Sequence, residues 1–380
     1  MSPTARPTVA IDVTPTLGAR TGIGNAVAEI VTALRALEAG PDLVPYTLSW
    51  RARRQRDAAP AGTRFVPIPA RLLLQSWPHR DAPRVDRWLR PAQVIHATNY
   101  LTPPSRLATL VSVYDCSFVR YPELCSPDVL AYVPIVRRAI ARGATVHTSS
   151  EFTAGEIEEI FGPGLRAAGR LVVIPLGIPA LGAESALPDA IGTRLGGAPF
   201  VLAIGTLEPR KNYPHLIGAF GELAARHEDL RLVIAGRDGP ARPAVDAAIA
   251  RLPASTETRV VVAGGVSDAA RRALLERAAV LAYPSIYEGF GLPVLEAMLV
   301  GVPVVAARAG SIPEVAGDAA LLVEAADEAA LATEIDRVLT NTDVRAELVA
   351  RGHDRARQFS WDDTAQALAS CYRRLAEHAS

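Results

Sequence analysis

The sequence predicts an α/β protein of two Rossmann-like domains, each built on a doubly wound parallel sheet, that face each other across a cleft. The chain has 380 residues, which is more than a single hydrophobic core usually supports. Short apolar runs typical of buried strands alternate with helical patterns along both halves, as expected for parallel sheets. Because such sheets bind ligands at the carboxyl ends of their strands, we expect the functional site there.

The alternation is interrupted once, by a Gly/Pro/Ala-rich stretch without clear periodicity. We therefore predict an N-terminal domain over residues 1–178, a linker over 179–198 and a C-terminal domain over 199–360. The strands predicted in the first domain are Val9–Val13, Leu43–Leu48, Arg64–Ile68, Val94–Ala97, Thr109–Tyr114, Thr145–Thr148 and Leu171–Pro175, and the helices are Asn25–Leu37, Asp128–Arg142 and Ala154–Phe161. The strands predicted in the second domain are Phe200–Ile204, Leu230–Ala235, Arg259–Ala263, Val280–Tyr283, Val302–Ala306 and Ala320–Val323, and the helices are Tyr213–Arg226, Arg242–Arg251, Ala269–Ala278, Pro293–Val300 and Ala329–Thr340.

The composition argues against several classes of protein. Forty basic and forty acidic residues give zero net charge, which does not indicate a nucleic-acid partner. Cys116, Cys125 and Cys371 are too few and too widely spaced for a disulfide framework or a zinc site, which favours a reducing compartment. Met1–Thr8 lacks the apolar core of a signal peptide, and prolines and charges interrupt every apolar run before it could span a membrane. We therefore expect a cytoplasmic protein.

The ten residues 288–297, EGFGLPVLEA, are the most informative segment of the chain. Glu288 and Glu296 bracket two glycines and a proline at a predicted strand-to-helix junction. Gly289 and Gly291 let the backbone approach a ligand closely, and free amides at a helix start bind anions. The two carboxylates can accept hydrogen bonds from hydroxyls on either side of that anion. This arrangement suits a nucleotide sugar, and the alternative is an ordinary turn with a capping glutamate.

A second signal comes from Lys211, the only lysine among 40 basic residues. In a chain this rich in Arg and Ala, a retained lysine indicates a role that arginine cannot fill, and the alternative is a chance survivor on the surface. Lys211 lies in the segment 205–212, GTLEPRKN, directly after a predicted strand. Arg210 and Lys211 together suit a diphosphate, because arginine offers a planar fork and lysine a compact point charge. Arg271, by contrast, is expected on an exposed helix face.

The segments GTLEPRKN and EGFGLPVLEA, on two Rossmann-like halves, resemble the retaining glycosyltransferases of family four, which have the GT-B fold. The resemblance extends from about Val9 to the final helix. The segments 96–104 (HATNYLTPP) and 114–123 (YDCSFVRYPE) resemble a bacterial branch rich in mannosyltransferases that act on surface polysaccharides. In these enzymes the last helix returns to the first domain, which the resemblance implies here for a helix over about 361–380.

The resemblance also implies a role for each matching residue. Arg210 and Lys211 would hold the donor diphosphate, Glu288 would contact the sugar hydroxyls, and Glu296 would hold the ribose. The other implied donor-binding residues are Gly22 and Gly24 of the segment 21–25 (TGIGN), together with Gly205, Thr206, Gly289, Phe290, Gly291 and Leu292. The segment TGIGN alone is a weak motif, and its alternative is a turn that opens a helix.

The implied reaction moves a sugar from a nucleotide-sugar donor to a glycan or lipid-linked acceptor, most often mannose from GDP-mannose. Retaining transfer in this family is described as front-face, with the leaving diphosphate accepting the acceptor's proton. The protein's task is then to stabilise charge growing on the diphosphate, and Arg210, Lys211 and helix amides can do so without a metal or other cofactor. The sequence has no Asp-x-Asp motif, and we interpret Asp362-Asp363 as a helix start. A glycosidase-like pair of glutamates is an alternative that the phosphate-binding context disfavours.

One position departs from the family pattern. Related enzymes have His-Asp where this chain has Tyr114-Asp115, and the family histidine lies against the donor sugar. Tyr114 can still hydrogen-bond through its hydroxyl, but it is larger and neutral. His96 and His147 are nearby candidates for sugar or acceptor contact, with a structural role as the alternative. The departure suggests a second hypothesis beside an active transferase, namely a non-catalytic GT-B protein that binds nucleotide or glycan as an assembly partner. A third hypothesis is a sugar-nucleotide epimerase on the same fold.

A basic, aromatic stretch of the first domain is a candidate membrane surface. Trp77 and Trp88 follow three consecutive leucines, and the segment Arg51–Arg56 adds further positive charge. The arginines interspersed with the two tryptophans are Arg71, Arg80, Arg84, Arg87 and Arg90. Such a patch could bind anionic lipids on the inner face of the membrane and meet a lipid-linked acceptor. The alternative is an ordinary helix with a solvated arginine face.

Overall fold

The computed structural model describes residues 6–18, 22–48, 50–125, 127–182 and 185–378. These residues form two compact units. Unit 1 contains the described residues up to Pro179 and those from Phe359 onward, and unit 2 runs from Ala180 to Gln358. Each unit is built on one parallel sheet with helices in the connections, so the predicted pair of Rossmann-like α/β domains is confirmed. None of the described helices is long and apolar enough to cross a membrane.

The described part of unit 1 contains a sheet of seven strands. These are β1 Thr8–Asp12, β2 Asp42–Thr47, β3 Arg64–Phe65, β4 Val94–Ala97, β5 Ala108–Ser112, β6 Thr145–Thr148 and β7 Leu171–Val173. The helices are α1 Gly22–Ala36, α2 Ala70–Ser76, α3 Asp86–Leu89, α4 Ser117–Arg120, α5 Pro127–Leu130, α6 Tyr132–Ala141, α7 Glu151–Phe161 and, from the end of the chain, α17 Trp361–His378, with 3-10 helices at Thr14–Thr16, Trp50–Ala58 and Pro122–Leu124. The strand order is β3-β2-β1-β4-β5-β6-β7, so the direction of winding reverses between β1 and β4.

The described part of unit 2 contains a sheet of six strands. These are β8 Phe200–Ile204, β9 Arg231–Ala235, β10 Val260–Gly264, β11 Val280–Tyr283, β12 Val304–Ala307 and β13 Leu321–Val323. The helices are α8 Asp189–Leu195, α9 Tyr213–Arg226, α10 Arg242–Ile249, α11 Ala254–Glu257, α12 Asp268–Arg277, α13 Leu292–Leu299, α14 Ile312–Ala316, α15 Glu328–Thr340 and α16 Thr342–Ala356, with a 3-10 helix at Pro209–Lys211. The strand order is β10-β9-β8-β11-β12-β13, and the winding reverses between β8 and β11.

Two helical segments differ from the prediction. The helix predicted over Asp128–Arg142 is divided into α5 and α6, because Pro134 has no N–H for the Leu130 carbonyl and its ring would clash with that carbonyl in a continuous helix. The unpredicted helix α16 begins after Asn341, whose side chain accepts hydrogen bonds from two backbone amides of its first turn. Its buried stripe is only Leu348, Gly352 and Ala356, which is too narrow and too small to give a clear apolar period. The stretch predicted as a linker contains α8.

The last helix, α17, packs within unit 1. Its first turn contains Asp362 and Asp363, which confirms their interpretation as a helix start. Ser360 completes the turn, since its Oγ accepts from the Asp363 amide at 3.0 Å and donates to the Asp363 carboxylate at 2.6 Å. Further along the helix, the fully buried Tyr372 hydroxyl lies 2.7 Å from Nδ1 of His96 on β4. Helix α17 is thus hydrogen-bonded to the sheet of this unit.

Candidate functional site

Two loops of unit 2 meet where the winding of the sheet reverses. The loop after β8 contains Arg210 and Lys211, and the loop after the adjacent strand β11 contains Glu288. A backbone hydrogen bond of 2.8 Å from the Ile286 amide to the Arg210 carbonyl joins the two loops. Since the carboxyl ends of strands at such a reversal form the usual ligand crevice of open α/β sheets, this is the position where a site is expected.

The carboxylate of Glu288 bridges both cations of the first loop. Its Oε1 lies 2.5 Å from the Lys211 ammonium, and its Oε2 lies 2.8 Å from Nη1 of Arg210. Arg210 also pairs through Nε with Glu208 at 2.8 Å. The predicted site residues Arg210, Lys211 and Glu288 are therefore brought together, and their charges are balanced within the cluster.

Burial makes this cluster electrostatically strong. The side chains of Lys211 and Glu288 are each only 8% exposed. Burial alone would raise the pKa of Glu288, but the adjacent charges of Lys211 and Arg210 outweigh it and lower that pKa to about 2. Burial lowers the pKa of Lys211, against the opposing charge of Glu288. The carboxylate is thus held ionised at neutral pH.

Two tyrosines that the sequence analysis did not identify support Lys211. The Tyr283 hydroxyl accepts a hydrogen bond from Lys211 Nζ at 2.9 Å, and Nζ lies 4.9 Å from the centre of the same ring. The Tyr213 hydroxyl donates to the Gly205 carbonyl at 2.8 Å. A Cβ at Gly205 would lie 3.1 Å from both Lys211 Cε and this hydroxyl, so the predicted donor-site glycine is also needed for close packing around the lysine. Tyr283 ends a buried apolar strand, and that position is the only sequence signal for its role.

A third loop, after β12, fixes the backbone of Glu288. Both the amide and the hydroxyl of Ser311 donate to the Glu288 carbonyl at 3.0 Å. Gly310 has a φ of +57°, and a Cβ there would lie 2.4 Å from the same carbonyl oxygen. The sequence signal for this support was the Ala-Gly-Ser triplet at 309–311, a short distance beyond the predicted strand.

The remaining donor-site candidates of unit 2 lie along the same two loops. Gly205 and Thr206 follow β8 and are half-buried, whereas Gly289 and Phe290 are buried in the loop after β11. Gly291 has a φ of +102° and precedes α13, which starts at Leu292 and has no side-chain cap on its first amides. The segment thus has the strand-loop-helix arrangement expected from its sequence.

In the described part of the chain, Glu296 makes no hydrogen bond to Arg210, Lys211 or Glu288. It forms an ion pair with Arg271 instead. The Nε of Arg271 lies 2.9 Å from Oε2 of Glu296, and its Nη2 also donates to that oxygen. The Arg271 side chain is 27% exposed, so the expectation that it lies on a freely exposed helix face is wrong. Arg271 lies on α12, which contains several arginines, and the sequence does not indicate which of them faces α13.

In unit 1, the predicted glycine-rich loop is helical in its described part. Gly22 and Gly24 lie in the first turn of α1, which is the alternative arrangement for this segment. Thr21 lies outside the described residues. The interpretation of Gly22 and Gly24 as loop residues is therefore corrected, while their contact with a donor stays a prediction.

His96 and His147 belong to a closed hydrogen-bond chain across the sheet of unit 1. Nε2 of His96 and Nδ1 of His147 both lie 2.8 Å from the Ser112 hydroxyl. The remaining nitrogens contact the Tyr372 hydroxyl at 2.7 Å and the Ile174 carbonyl at 3.1 Å. Both rings are fully buried, and burial lowers the pKa of His96 well below its usual value and that of His147 to about 4. Both nitrogens of His96 thus have partners within unit 1, and its contact with a sugar or acceptor stays a prediction.

Tyr114 and Asp115 lie just past the carboxyl end of β5. Tyr114 is 6% exposed, and its ring packs edge-on against His147 with centroids 6.0 Å apart. Burial raises its pKa to about 12, so the phenol is neutral. Asp115 accepts hydrogen bonds from the amide and hydroxyl of Ser117 at 2.9 and 2.7 Å, which holds the start of α4. Their contact with a sugar stays a prediction.

The candidate membrane surface is only partly exposed. Trp77 is 1% exposed and belongs to the core of unit 1, where its indole N–H donates to the Pro83 carbonyl at 3.1 Å. It is therefore not an interfacial residue, contrary to the prediction. Trp88 is half-buried beneath the Arg87 guanidinium, whose central carbon lies 3.9 Å from the ring centre. Leu72 on α2 is 55% exposed.

Within the residues that the structure describes, no three His, Cys, Asp or Glu side chains form a cluster able to hold a metal ion. The acidic groups nearest the predicted diphosphate site are Glu208 and Glu288, and both are paired with basic side chains. The groups that this site offers to a ligand are therefore the cationic side chains of Arg210 and Lys211, which suit an anion.

The chain is similar to known proteins in both sequence and structure. The family described as Glycosyl transferases group 1 matches residues 190–355, and the Glycosyl transferase 4-like domain matches residues 21–177. The O-antigen chain mannosyltransferase B of Escherichia coli is 32% identical over 290 residues, which cover 74% of each chain. The 2-deoxystreptamine glucosyltransferase of Streptomyces kanamyceticus is 30% identical over 202 residues, or 50% of each chain. The structure of Anabaena HepE in complex with UDP and glucose superimposes with a TM-score of 0.72 at 19% identity, over 96% of this chain and 99% of that one.

Fold and sequence together define a GT-B glycosyltransferase. The chain belongs to glycosyltransferase family four, and it is a hexosyltransferase that uses a nucleotide-sugar donor.

Proposed function

We propose that this enzyme transfers mannose from GDP-mannose, with retention of anomeric configuration and without a metal, to a glycan or lipid-linked acceptor. The observation that carries the proposal is the buried cluster of Arg210, Lys211 and Glu288 at the winding reversal of unit 2. Mannose is favoured as the donor sugar because the relative that covers three quarters of this chain is a mannosyltransferase. Glucosyl transfer is the competing assignment, since relatives with that activity match over shorter stretches.

The cluster suits a diphosphate because it concentrates positive charge that a carboxylate currently neutralises. An arriving diphosphate would compete with Glu288 for Arg210 and Lys211, and it would free the carboxylate to accept hydrogen bonds from sugar hydroxyls. The amide of Leu292 at the start of α13, which has no side-chain cap, adds a further donor beside Gly291. Glu296, four residues further along α13, is the proposed ribose contact.

The proposed mechanism relies on electrostatics rather than on a protein nucleophile. As the bond between the sugar and the diphosphate breaks, negative charge grows on the departing phosphate oxygen. Arg210 and Lys211 would stabilise that charge from a preorganised, largely dry position. The departing oxygen would take the proton of the acceptor hydroxyl, which then attacks the same face of the sugar.

A panel of nucleotide sugars tests this function. Purified enzyme is incubated with GDP-mannose, UDP-glucose and related donors, and the released nucleotide is measured with and without polysaccharide acceptors. We expect release of GDP above all others, and NMR of the product should show the α-anomeric configuration of the donor. Release from UDP-glucose alone would transfer the assignment to glucose. Binding without turnover of any donor would favour the non-catalytic hypothesis, and an isomerised donor would favour an epimerase.

We also propose that the enzyme acts in the cytoplasm and contacts the inner face of the membrane through α2. The exposed Leu72 next to exposed Arg71 supports this contact, because an apolar side chain beside arginine favours an anionic lipid surface. Sedimentation with vesicles of anionic or zwitterionic lipid tests it. We expect binding to anionic vesicles only, with a clear loss for Leu72→Asp, whereas equal sedimentation of both proteins would contradict the membrane contact.

A further inference from the structure

The ion pair between Arg271 and Glu296 has an unusual distribution of hydrogen bonds. Arg271 lies on α12 and Glu296 on α13, 25 residues further along the chain. Two guanidinium nitrogens, Nε and Nη2, converge on the same carboxylate oxygen, Oε2. In the described part of the chain, the other oxygen of Glu296, Oε1, accepts no hydrogen bond.

The pair is also placed where an unpaired carboxylate would be costly. The Glu296 side chain is only 6% exposed, so its charge requires a partner. Glu296 lies on α13, which begins four residues after Glu288, the carboxylate of the proposed diphosphate site. A second carboxylate close to a diphosphate would repel it, and the charge of Arg271 offsets that repulsion.

We propose that Arg271 is a positioning residue for ribose recognition. It fixes the Glu296 carboxylate through one oxygen, compensates its charge, and leaves the other oxygen directed to a neighbouring pair of hydroxyls. The ligand class that this arrangement favours is a ribonucleoside diphosphate over a deoxyribonucleoside diphosphate. The inference rests on the proposed function, in which Glu296 contacts the ribose.

The requirement is for arginine in particular. A guanidinium offers two N–H groups in a rigid plane, and both are used here on one oxygen. A lysine would supply the charge from a single flexible point, so it would neutralise Glu296 without fixing its orientation. We therefore expect Arg271→Lys to keep part of the affinity and lose part of the selectivity for ribose.

Calorimetric titration of three ligands distinguishes a positioning role of Arg271 from phosphate contact or support of the fold. The ligands are GDP, its 2′,3′-dideoxy analogue and inorganic pyrophosphate. Arg271→Leu should weaken GDP binding about tenfold, which is the loss expected when hydrogen bonds to a charged group are misdirected. Binding of the dideoxy analogue and of pyrophosphate should change by less than about twofold. In a Glu296→Gln background, Arg271→Leu should cause no further loss of GDP affinity.

A matched control is Arg277→Leu, at the exposed end of the same helix, which should leave all three affinities unchanged. Thermal melting of every variant checks the fold, and Arg271→Lys provides the same readouts if the leucine variant is unstable. Equal weakening of all three ligands would mean that Arg271 contacts phosphate or only supports the fold, and would overturn the inference. Unchanged ribose selectivity in Arg271→Leu would also overturn it. If the wild-type enzyme does not prefer GDP over the dideoxy analogue, the proposed role of Glu296 fails instead.

Discussion

Lys211 and Glu288, 77 residues apart in sequence, form a buried ion pair with their nitrogen and oxygen 2.5 Å apart. The only lysine of the chain is thus enclosed at the carboxyl end of the sheet rather than solvated on the surface. The Glu288 carboxylate lies between two cations, Arg210 and Lys211. The proposed function therefore implies that fold stability and diphosphate binding are coupled at this site.

The first prediction concerns Glu288→Gln, which preserves volume but leaves Lys211 buried without its counter-charge. Removing one partner of a buried ion pair typically costs about 3–5 kcal/mol. We expect a clear drop in the melting temperature of the ligand-free enzyme, partly restored by GDP, whose phosphates replace the lost negative charge. Turnover should fall, because the proposed sugar contact is lost.

Melting curves with and without GDP provide the measurement. The control is Glu324→Gln, whose side chain is 74% exposed and pairs with Arg308 only at 3.6 Å. Equal melting temperatures for wild type and Glu288→Gln would show that the ion pair does not stabilise the fold.

The second prediction concerns Lys211→Arg, which keeps the charge. The lysine stem packs against the Gly205 backbone and Tyr283, so the wider guanidinium must displace neighbours. We expect a destabilisation of about 1–3 kcal/mol from overpacking. We also expect kcat/KM to fall at least about tenfold, equivalent to roughly 1.4 kcal/mol of transition-state stabilisation.

Steady-state kinetics and denaturant unfolding test both parts. Arg251→Lys, the reverse exchange at an exposed position, is the control and should be silent. A Lys211→Arg variant with wild-type turnover would remove the compositional argument for this lysine and leave Arg210 as the main phosphate candidate.

The sequence predicted what depends on local pattern. The fold class was predictable because buried strands are short apolar runs in the sequence. The centre of the candidate site was predictable because Arg210, Lys211 and Glu288 lie in short motifs. Contacts between distant segments were not. The pairing of Arg271 with Glu296 depends on how two helices are rotated about their axes, which helical periodicity in so polar a segment does not specify.

The same limit applies to His96 and Tyr372, which are 276 residues apart. Their contact exists because α17 returns to the sheet of unit 1, and no local signal identifies the two side chains as partners. A single histidine on an apolar strand therefore suggested a functional residue, whereas in the structure the His96 side chain joins β4 to β5 and α17 through hydrogen bonds.

Metal independence is the third prediction. Within the described residues no acidic cluster is available to chelate a metal, and Arg210 and Lys211 can neutralise the diphosphate instead. Donor turnover should survive an excess of EDTA. Activity that disappears with EDTA and returns with Mg²⁺ or Mn²⁺ would show that the phosphate site has been misinterpreted.

The fourth prediction is acid sensitivity of unit 1. His147 has a pKa of about 4 in the folded protein because burial disfavours its charged form, against about 6.5 when unfolded. As pH falls below about 6.5, the unfolded chain takes up the proton first, so stability declines until pH reaches about 4. This residue alone should account for about 3 kcal/mol, and His96 adds to the trend.

Side-chain NMR of the histidine rings provides the direct check. The His96 and His147 signals should stay in their neutral form from pH 8 to pH 5. Denaturant midpoints should fall below about pH 6.5 in an Asp12→Asn background, where the opposing titration of the buried Asp12 carboxyl is absent. The exposed His378 serves as the internal control. Titration of either buried ring near pH 6.5 would contradict the conclusion that burial lowers the pKa of His96 and His147.

The fifth prediction concerns Asp12, a buried carboxyl at the end of β1 that no motif identified. Burial raises its pKa to about 6, although the Thr14 hydroxyl and amide, at 2.5 and 2.8 Å, oppose the shift. A folded-state pKa above the unfolded value makes the protonated form the favoured one. The carboxyl therefore destabilises the fold as pH rises through about 6, by roughly 2–3 kcal/mol at pH 8.

Asp12→Asn removes this penalty and keeps an acceptor for Thr14. We expect the variant to be more stable than wild type at pH 8 and equally stable below about pH 4, where Asp12 is protonated in both states. Denaturant midpoints at the two pH values measure the difference, and Asp57→Asn, at an exposed position, is the control. A gain at pH 8 accompanied by lost turnover would indicate that the charged carboxyl is kept for the reaction, because only function would then offset its cost to the fold. No gain at pH 8 would show that Asp12 is better solvated than its burial implies.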